Sequence, residues 1–466
     1  MKNIRKTNNF AIRLICSILL LFCLVQAQNY ENATIDSLRA LLKNDPENAD
    51  LFDDIGWEYY FMEYYQESLE SFMEAIQIDP EFADAQNGAG WAKYNLGYNS
   101  EAVGFFKEAI RIDLEYADAF DGLGRSYYEL KNYSDAISSF KRSINFNPYP
   151  AYVHNWLAWS YYMAEMYNDA MVSFQKALDM DPGNISTLEG LGRNYYELKN
   201  YDEAIIYFQK AVKLDPDDAV LHNWLGWSYY EARRDPEAIT SFKNAIRLDP
   251  NYSSAHEGLG RIHYELGNYE NAIFSFQQTI KNDPNDADAH NWLGWSYYEI
   301  MRDNDALISF KDAIRLQPGL ADAHNGLGWV YYQLENHSDA ISSFSNAIYY
   351  DPYQEETYRG RGWARYELAL YSDAWSDFQQ AVKIDPEYAD AYDGIGWVNN
   401  MQGNYTDALA AFREAIRLDP SYADAHLGMG WTYIALENLN AALDVYSILK
   451  NINENKANTL FEWIYP

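Results

Sequence analysis

The chain has 466 residues, of which 69 are acidic and 35 basic, for a formal net charge of −34. A surface this acidic repels phosphate backbones and anionic bilayers, which argues against nucleic acid as a partner and leaves basic peptides, cations and neutral polymers open. Both cysteines, Cys16 and Cys23, fall in the first 27 residues, so the rest of the chain uses neither disulfides nor thiol chemistry.

Residues 1–27 start with Lys2, Arg5, Lys6 and Arg13, run through the apolar "LICSILLLFCLV" and end in "VQA". This is the pattern of a secretory signal peptide cleaved after Ala27. The mature protein is therefore expected to be exported, to a periplasm, a cell surface or the medium, without a stable membrane span. Residues 28–48, with "IDSLRALLKND", read as a lone second helix, a half repeat that covers the first full one.

From there prolines act as a ruler: Pro46, Pro80, Pro148, Pro182 and onward to Pro420 are separated by 34 residues or twice 34. They mark twelve repeats over 49–456, starting at Ala49, Ala83, Ala117, Ala151, Ile185, Ala219, Ser253, Ala287, Ala321, Glu355, Ala389 and Ala423. Counting each start as position 1, position 8 is glycine from Gly56 to Gly430, with Ala158 in repeat 4. Position 20 is alanine except for Ser68, and position 24 is phenylalanine from Phe72 to Phe412, then Tyr446. Two apolar stripes of helical period, parted by turns such as "GNY" or "KNY", describe a helical hairpin. Its small residues admit close backbones, and its aromatic fills the space between neighbours. The proline stops the second helix, and the aspartate that usually precedes it favours the turn. No single hairpin buries its apolar face, so stability accumulates by stacking.

These marks resemble the tetratricopeptide repeat (TPR) family over nearly all of the mature chain. The resemblance implies an all-α fold, a right-handed superhelical α-solenoid of about twelve 34-residue helix-turn-helix units, with the first helices lining a concave side. Residues 457–466, "ANTLFEWIYP", read as a short cap that sets Leu460 and Trp463 at positions 4 and 7 of one more first helix.

At about 100° per residue, positions 4, 7, 8 and 11 of a first helix share the packing side, whereas 2, 5, 9, 12 and 13 lie opposite and 6 on the flank. The opposite stripe is where the resemblance places ligand contacts. Tryptophan fills position 9 at Trp57, Trp91, Trp159, Trp227, Trp295, Trp329, Trp363, Trp397 and Trp431, and position 6 at Trp156, Trp224 and Trp292. Repeats 3, 5 and 7 carry instead an acid at 5, glycine at 6 and arginine at 9, namely Arg125, Arg193 and Arg261. Repeats 4, 6 and 8 answer with Asn155, Asn223 and Asn291 at position 5, and Asn325 follows in repeat 9. The recurring element of the middle is thus a pair of repeats.

Two readings of this stripe stand side by side. Neighbouring first helices, about 8–10 Å apart, let the aromatics stack on one another and on the arginines as a sealed wall. Alternatively the rings form an aromatic, acidic groove with amide, carboxylate and guanidinium groups between them. The resemblance implies a protein or peptide as cargo, and the charge suits a basic one. The family's peptide-gripping asparagine ladder, however, sits at position 6, which in the middle repeats is glycine or tryptophan. A polysaccharide stacking on the rings, or a filament made by end-to-end assembly, are the alternatives.

Histidine occupies position 4 at His154, His222, His256, His290, His324 and His426, on different helices and too far apart to share one zinc, so a packing role is expected. The aspartates at position 2 open the first helices, where a carboxylate favours the positive end of the dipole. No nucleophile elbow, phosphate loop or zinc signature occurs, so neither an enzyme nor a cofactor or metal is expected. The sequence reads as a non-enzymatic interaction scaffold.

Overall fold

The computed structural model describes residues 34–466, and every regular element among them is a helix. The expected signal segment, 1–27, lies outside the described residues. By internal contacts the chain divides into two compact bodies, Met1–Ala232 and Arg233–Pro466, parted in the turn between the two helices of repeat 6. Within each body the pattern is the same all-α solenoid of stacked hairpins. First helices have 13 residues and second helices 14, from Ala49–Phe61 and Tyr65–Ile78 to Ala423–Ala435 and Leu439–Ile452.

A left-handed residue at position 15 ends each first helix. It is glycine at Gly97, Gly267 and Gly403, but Glu63, Lys131, Glu165, Lys199, Arg233, Met301, Glu335, Ala369 and Glu437 take the same conformation at φ 55 to 63°. The reversal lets that residue's N–H and the next one close on orphan carbonyls: Glu63 donates to the Tyr60 carbonyl at 3.0 Å and Tyr64 to that of Tyr59 at 2.9 Å. At the other end, proline forces the residue before it out of the helix, so Asp79 is extended at φ −127°, ψ 98°. Its carboxylate then accepts the Glu81 N–H at 3.0 Å, and Asp113, Asp249, Asp283, Asp385 and Asp419 do likewise two residues on. The aspartate is there because its side chain bridges the turn.

Stacking is set by a boxed phenylalanine. A β-carbon on Gly56 would lie 2.6 Å from the Phe72 ring, and one on Gly88 of the next repeat 2.4 Å from it. Phe106 sits in the same way between Gly90 and Gly122, at 2.7 and 2.2 Å. Glycine at positions 8 and 6 makes the slot for these rings, tryptophan replaces the second glycine in repeats 4, 6 and 8, and every phenylalanine from Phe72 to Phe412 at position 24 is fully buried. Histidines tie five first helices to the preceding loop: His154, His222, His256, His324 and His426 place Nε2 3.0–3.2 Å from a proline carbonyl six residues back.

The ends are covered. Residues 34–42 form a helix that buries Ile35, and Arg39 donates to the Tyr59 hydroxyl at 2.7 Å. The last helix, Glu454–Ile464, starts earlier than the sequence suggests, because Asn453 caps it by accepting from the Lys456 N–H at 3.1 Å. That register buries Ala457, Leu460 and Ile464 and leaves Trp463 37% exposed, so Trp463 does not take the packing position expected of it. Leu460 takes the ring's place against Gly430, 2.6 Å from where a β-carbon would stand. Among the described residues no helix is long and apolar enough to cross a membrane.

Candidate functional site on the first-helix face

The tryptophans at position 9 are held from below and from the side. Trp91 stands edge-on to Phe106 of its own repeat at 5.4 Å and to Tyr94 at position 12 at 5.8 Å. Trp159, Trp295, Trp329 and Trp363 repeat both contacts, while Trp57 meets Phe72 and Tyr60 in the same way. Trp397 lies on Phe412, and Trp431 tilts against Trp397 at 6.4 Å. Trp91 and Trp329 are buried; Trp57, Trp159, Trp227, Trp295, Trp363, Trp397 and Trp431 are half-buried, with part of each ring open.

Three of their indole N–H groups reach the following repeat, whereas those of Trp57 and Trp397 bond Asp53 and Asp393 of their own repeats. Trp91 Nε1 donates to Asp118 Oδ2 at 2.9 Å, and Asn87 Nδ2 donates to the same oxygen at 2.7 Å. Trp295 and Asn291 repeat the pair on Asp322 at 2.9 and 2.7 Å. Trp159 and Asn155 use the Ser186 hydroxyl, at 3.0 and 3.2 Å. The aspartates at position 2 are thus cross-repeat acceptors as well as helix openers.

This corrects the expectation for the asparagines. Asn223, Asn291 and Asn325 are 4–5% exposed, and position 5 faces the next repeat instead of an open groove. Asn155 Oδ1 accepts from Thr187 and Asn325 Oδ1 from Thr357, again across the junction. A helical wheel assigns position 5 to the outer stripe because it cannot see the helix stacked beside it.

Position 6 is corrected for the same reason. Trp224 lies flat on Phe208 of the preceding repeat, at 6.1 Å and 11°, and Trp292 on Phe276, at 6.2 Å and 12°. Trp156 meets Tyr128 edge-on at 5.2 Å. Where glycine elsewhere meets the ring's edge, tryptophan covers its face, so these three belong to the repeat interface.

The arginines lie between the two kinds of tryptophan. Arg125 sits 5.2 Å from Trp91 and 5.3 Å from Trp156; Arg193 sits 5.7 Å from Trp159 and 4.7 Å from Trp224. Arg261 lies 5.5 Å over Trp292. Each is paired with the acid four residues back: Arg125 with Asp121 at 2.9 Å, Arg193 with Glu189 and Arg261 with Glu257 at 2.5 Å. Burial lifts the Asp121 carboxyl to about 6, against the pull of Arg125, and raises Glu257 against Arg261. Cation-π and ion pairing therefore share one cation.

Three residues of the face escaped the sequence reading. Arg359, at position 5 of repeat 10, lies 4.6 Å over Trp329. Asp53 and Asp393 stand at position 5, where repeats 2, 4, 6, 8 and 9 carry asparagine. Burial first, then the nearby Asp84, lifts Asp53 to about 7, and burial with Asp424 and Asp390 raises Asp393 well above the usual carboxylate range. Their signal was an acid in the asparagine column without an arginine four residues later.

Two hollows open on this face. One, of about 230 Å³, is lined by Trp57, Tyr60, Trp91, Asp118, Arg125 and Tyr152, with Tyr152 46% exposed. The other, of about 350 Å³, lies between Tyr298, Trp329 and Tyr332.

Family models described as tetratricopeptide repeat match residues 49–82, 118–148, 151–184, 189–253, 224–278, 304–355, 359–423 and 400–458, and one described as TPR repeat matches 260–300. No curated protein matches the sequence significantly. Among solved structures, the APC/C hetero-tetramer Cut9–Hcn1 aligns over 94% of this chain and 94% of its own, at 13% identity and a TM-score of 0.47. YrrB, described as a TPR protein with an unusual peptide-binding site, aligns over 40% of this chain and 96% of its own, at 20% identity and a TM-score of 0.37.

Proposed function

The chain belongs to the tetratricopeptide repeat family, and on that premise we propose that it is a non-catalytic, exported scaffold holding an extended, basic segment of a partner protein on its first-helix face. The observation that carries this reading is the hollow lined by Trp57, Trp91, Asp118, Asp121, Arg125 and Tyr152, where the half-buried Trp57 and the exposed Tyr152 lie beside two carboxylates, only one of them paired with Arg125. Ring faces and carboxylates together suit lysine or arginine side chains, which offer an apolar stem and a cation. The net charge of −34 adds long-range attraction for such a segment. First helices repeat at about 8–10 Å, and an extended peptide rises about 3.3 Å per residue, so successive repeats meet every third side chain.

The test is a titration of the mature chain with a fluorescent peptide bearing lysine or arginine at every third position, alongside its acidic counterpart. The basic peptide should bind, weaken with salt, and lose about tenfold in affinity in Tyr152→Ser, a half-exposed position whose loss leaves melting nearly unchanged. Equal affinity for the acidic peptide, or no effect of Tyr152→Ser, overturns the reading.

A further inference from the structure

Away from the first-helix face, repeats 10 and 11 break the pattern twice at one place. Position 21, on the second helix, is aliphatic in ten repeats, from Leu69 to Leu443, and Met171 in repeat 4, but is Trp375 in repeat 10. Position 11 of the following first helix is tyrosine in most repeats but Asn399 in repeat 11. Elsewhere that tyrosine covers the junction by meeting position 25 of the repeat before: Gln209 donates to Tyr229 Oη at 2.6 Å, Gln277 to Tyr297 at 3.0 Å and Arg413 to Tyr433 at 3.1 Å. Lysines at position 25 lie over the ring instead, as Lys141 does over Tyr161 at 5.3 Å.

At the junction of repeats 10 and 11 the cover is missing. Asn399 turns its amide back to the Ile395 carbonyl at 3.0 Å and leaves Gln379, the residue at position 25, facing open space. Trp375 stays 42% exposed where its aliphatic counterparts are mostly tucked in. The result is a cavity of about 500 Å³ lined by Ser372, Trp375, Gln379, Asn399, Gln402 and Asp407, within the range of about 300–1,000 Å³ typical of small-molecule sites.

The lining selects a ligand class. It holds no lysine or arginine, so it offers nothing to a carboxylate or phosphate. One indole supplies a flat apolar face, with Ile395 and Ala410 beside it, and four amides, a hydroxyl and a carboxylate supply donors and acceptors around it. An aromatic side chain of a peptide would cover the amides while answering only one of them, leaving the rest desolvated. A saturated ring with an apolar C–H face and hydroxyls at its rim answers both. We propose that this cavity binds a neutral hexopyranose unit, stacked on Trp375 with its hydroxyls hydrogen-bonded to Gln379, Asn399, Gln402 and Asp407. It is a second site, independent of the peptide reading, and gives an exported scaffold a hold on glycan while the first-helix face carries its protein partner.

Calorimetric titration of the mature chain with neutral oligosaccharides built on glucose, galactose, mannose and N-acetylglucosamine tests this. One of these series should bind with a dissociation constant of about 1 mM or tighter. Trp375→Leu and Asn399→Tyr each restore the residue other repeats carry, so both should fold and melt no lower than the parent while losing at least tenfold in sugar affinity. Peptide binding on the first-helix face should be unchanged in both. The absence of binding across the panel, or sugar binding that survives both substitutions, overturns the proposal.

Discussion

Repeats 3 to 5 and repeat 10 use the same ionic chemistry in opposite places. In repeats 3 and 5 the guanidinium lies on the first-helix face, Arg125 and Arg193 each 22–25% exposed, between indole faces and beside one acid. In repeat 10 the cations stand instead at the junction with the preceding repeat. Arg361 occupies position 7, apolar in every other repeat, and Arg365 occupies position 11. Both converge on Asp377, which is 3% exposed: Arg361 at 2.8 Å and Arg365 at 2.6 Å, with Arg361 also donating to Ser345 at 3.0 Å. The two acids are buried alike, Asp121 at 2% and Asp377 at 3% exposed, but Arg125 keeps indole partners when its acid is lost, whereas losing Asp377 strands two cations at once.

The largest expected effect breaks that contrast directly. Asp377→Ala leaves two cations facing each other and should cost about 3–5 kcal/mol in a denaturant melt, whereas Asp121→Ala in repeat 3, where Arg125 keeps its ring partners, should cost clearly less. A loss in Asp377→Ala no greater than in Asp121→Ala would show the triad is not interlocked. Next, the combined change Arg361→Leu, Arg365→Tyr, Asp377→Ser, which rebuilds repeat 10 on the pattern of the others, should be neutral or stabilising by about 1–4 kcal/mol. Marked destabilisation would mean the triad contributes more than its apolar counterparts.

A smaller effect depends on pH. Asp53 is protonated more readily in the fold, at about 7, than in the unfolded chain, near 3.8. The folded state therefore holds the extra proton between those values, and stability falls as pH rises from about 4 to about 7. Asp53→Asn should remove that slope and gain on the order of 1–2 kcal/mol at pH 8; parallel stability profiles for the two proteins would refute it. The smallest effect concerns the turns. Ala369 holds a left-handed φ of 57° that glycine adopts freely, so Ala369→Gly should raise stability by a few tenths of a kcal/mol, the relief of strain being partly offset by the looser unfolded chain. A lower melting temperature in the glycine variant would count against a strained turn.

Much of the repeat was legible because its period is set by local rules. Proline at position 32, the aspartate that bridges its turn, and glycine or phenylalanine at 8 and 24 each act within one hairpin or between adjacent ones. The site was less legible. On an isolated helix Trp224 falls on the flank and Asn291 on the outer stripe, yet the stacked neighbour covers both, as Phe208 under Trp224 and Asp322 beside Asn291 make plain. Trp463 erred the other way, because Asn453 starts the last helix early and turns Ile464 inward in its place.

By itself, then, the sequence determined the hairpin, its length and the order of its parts, since turn chemistry and steric fit at glycine are properties of a few neighbouring residues. Only the tertiary structure decided which face of each tryptophan stays open, that the asparagines serve the junctions, and that Asn399 and Trp375 leave a cavity. Those outcomes depend on side chains about one repeat apart in sequence, brought side by side only by stacking.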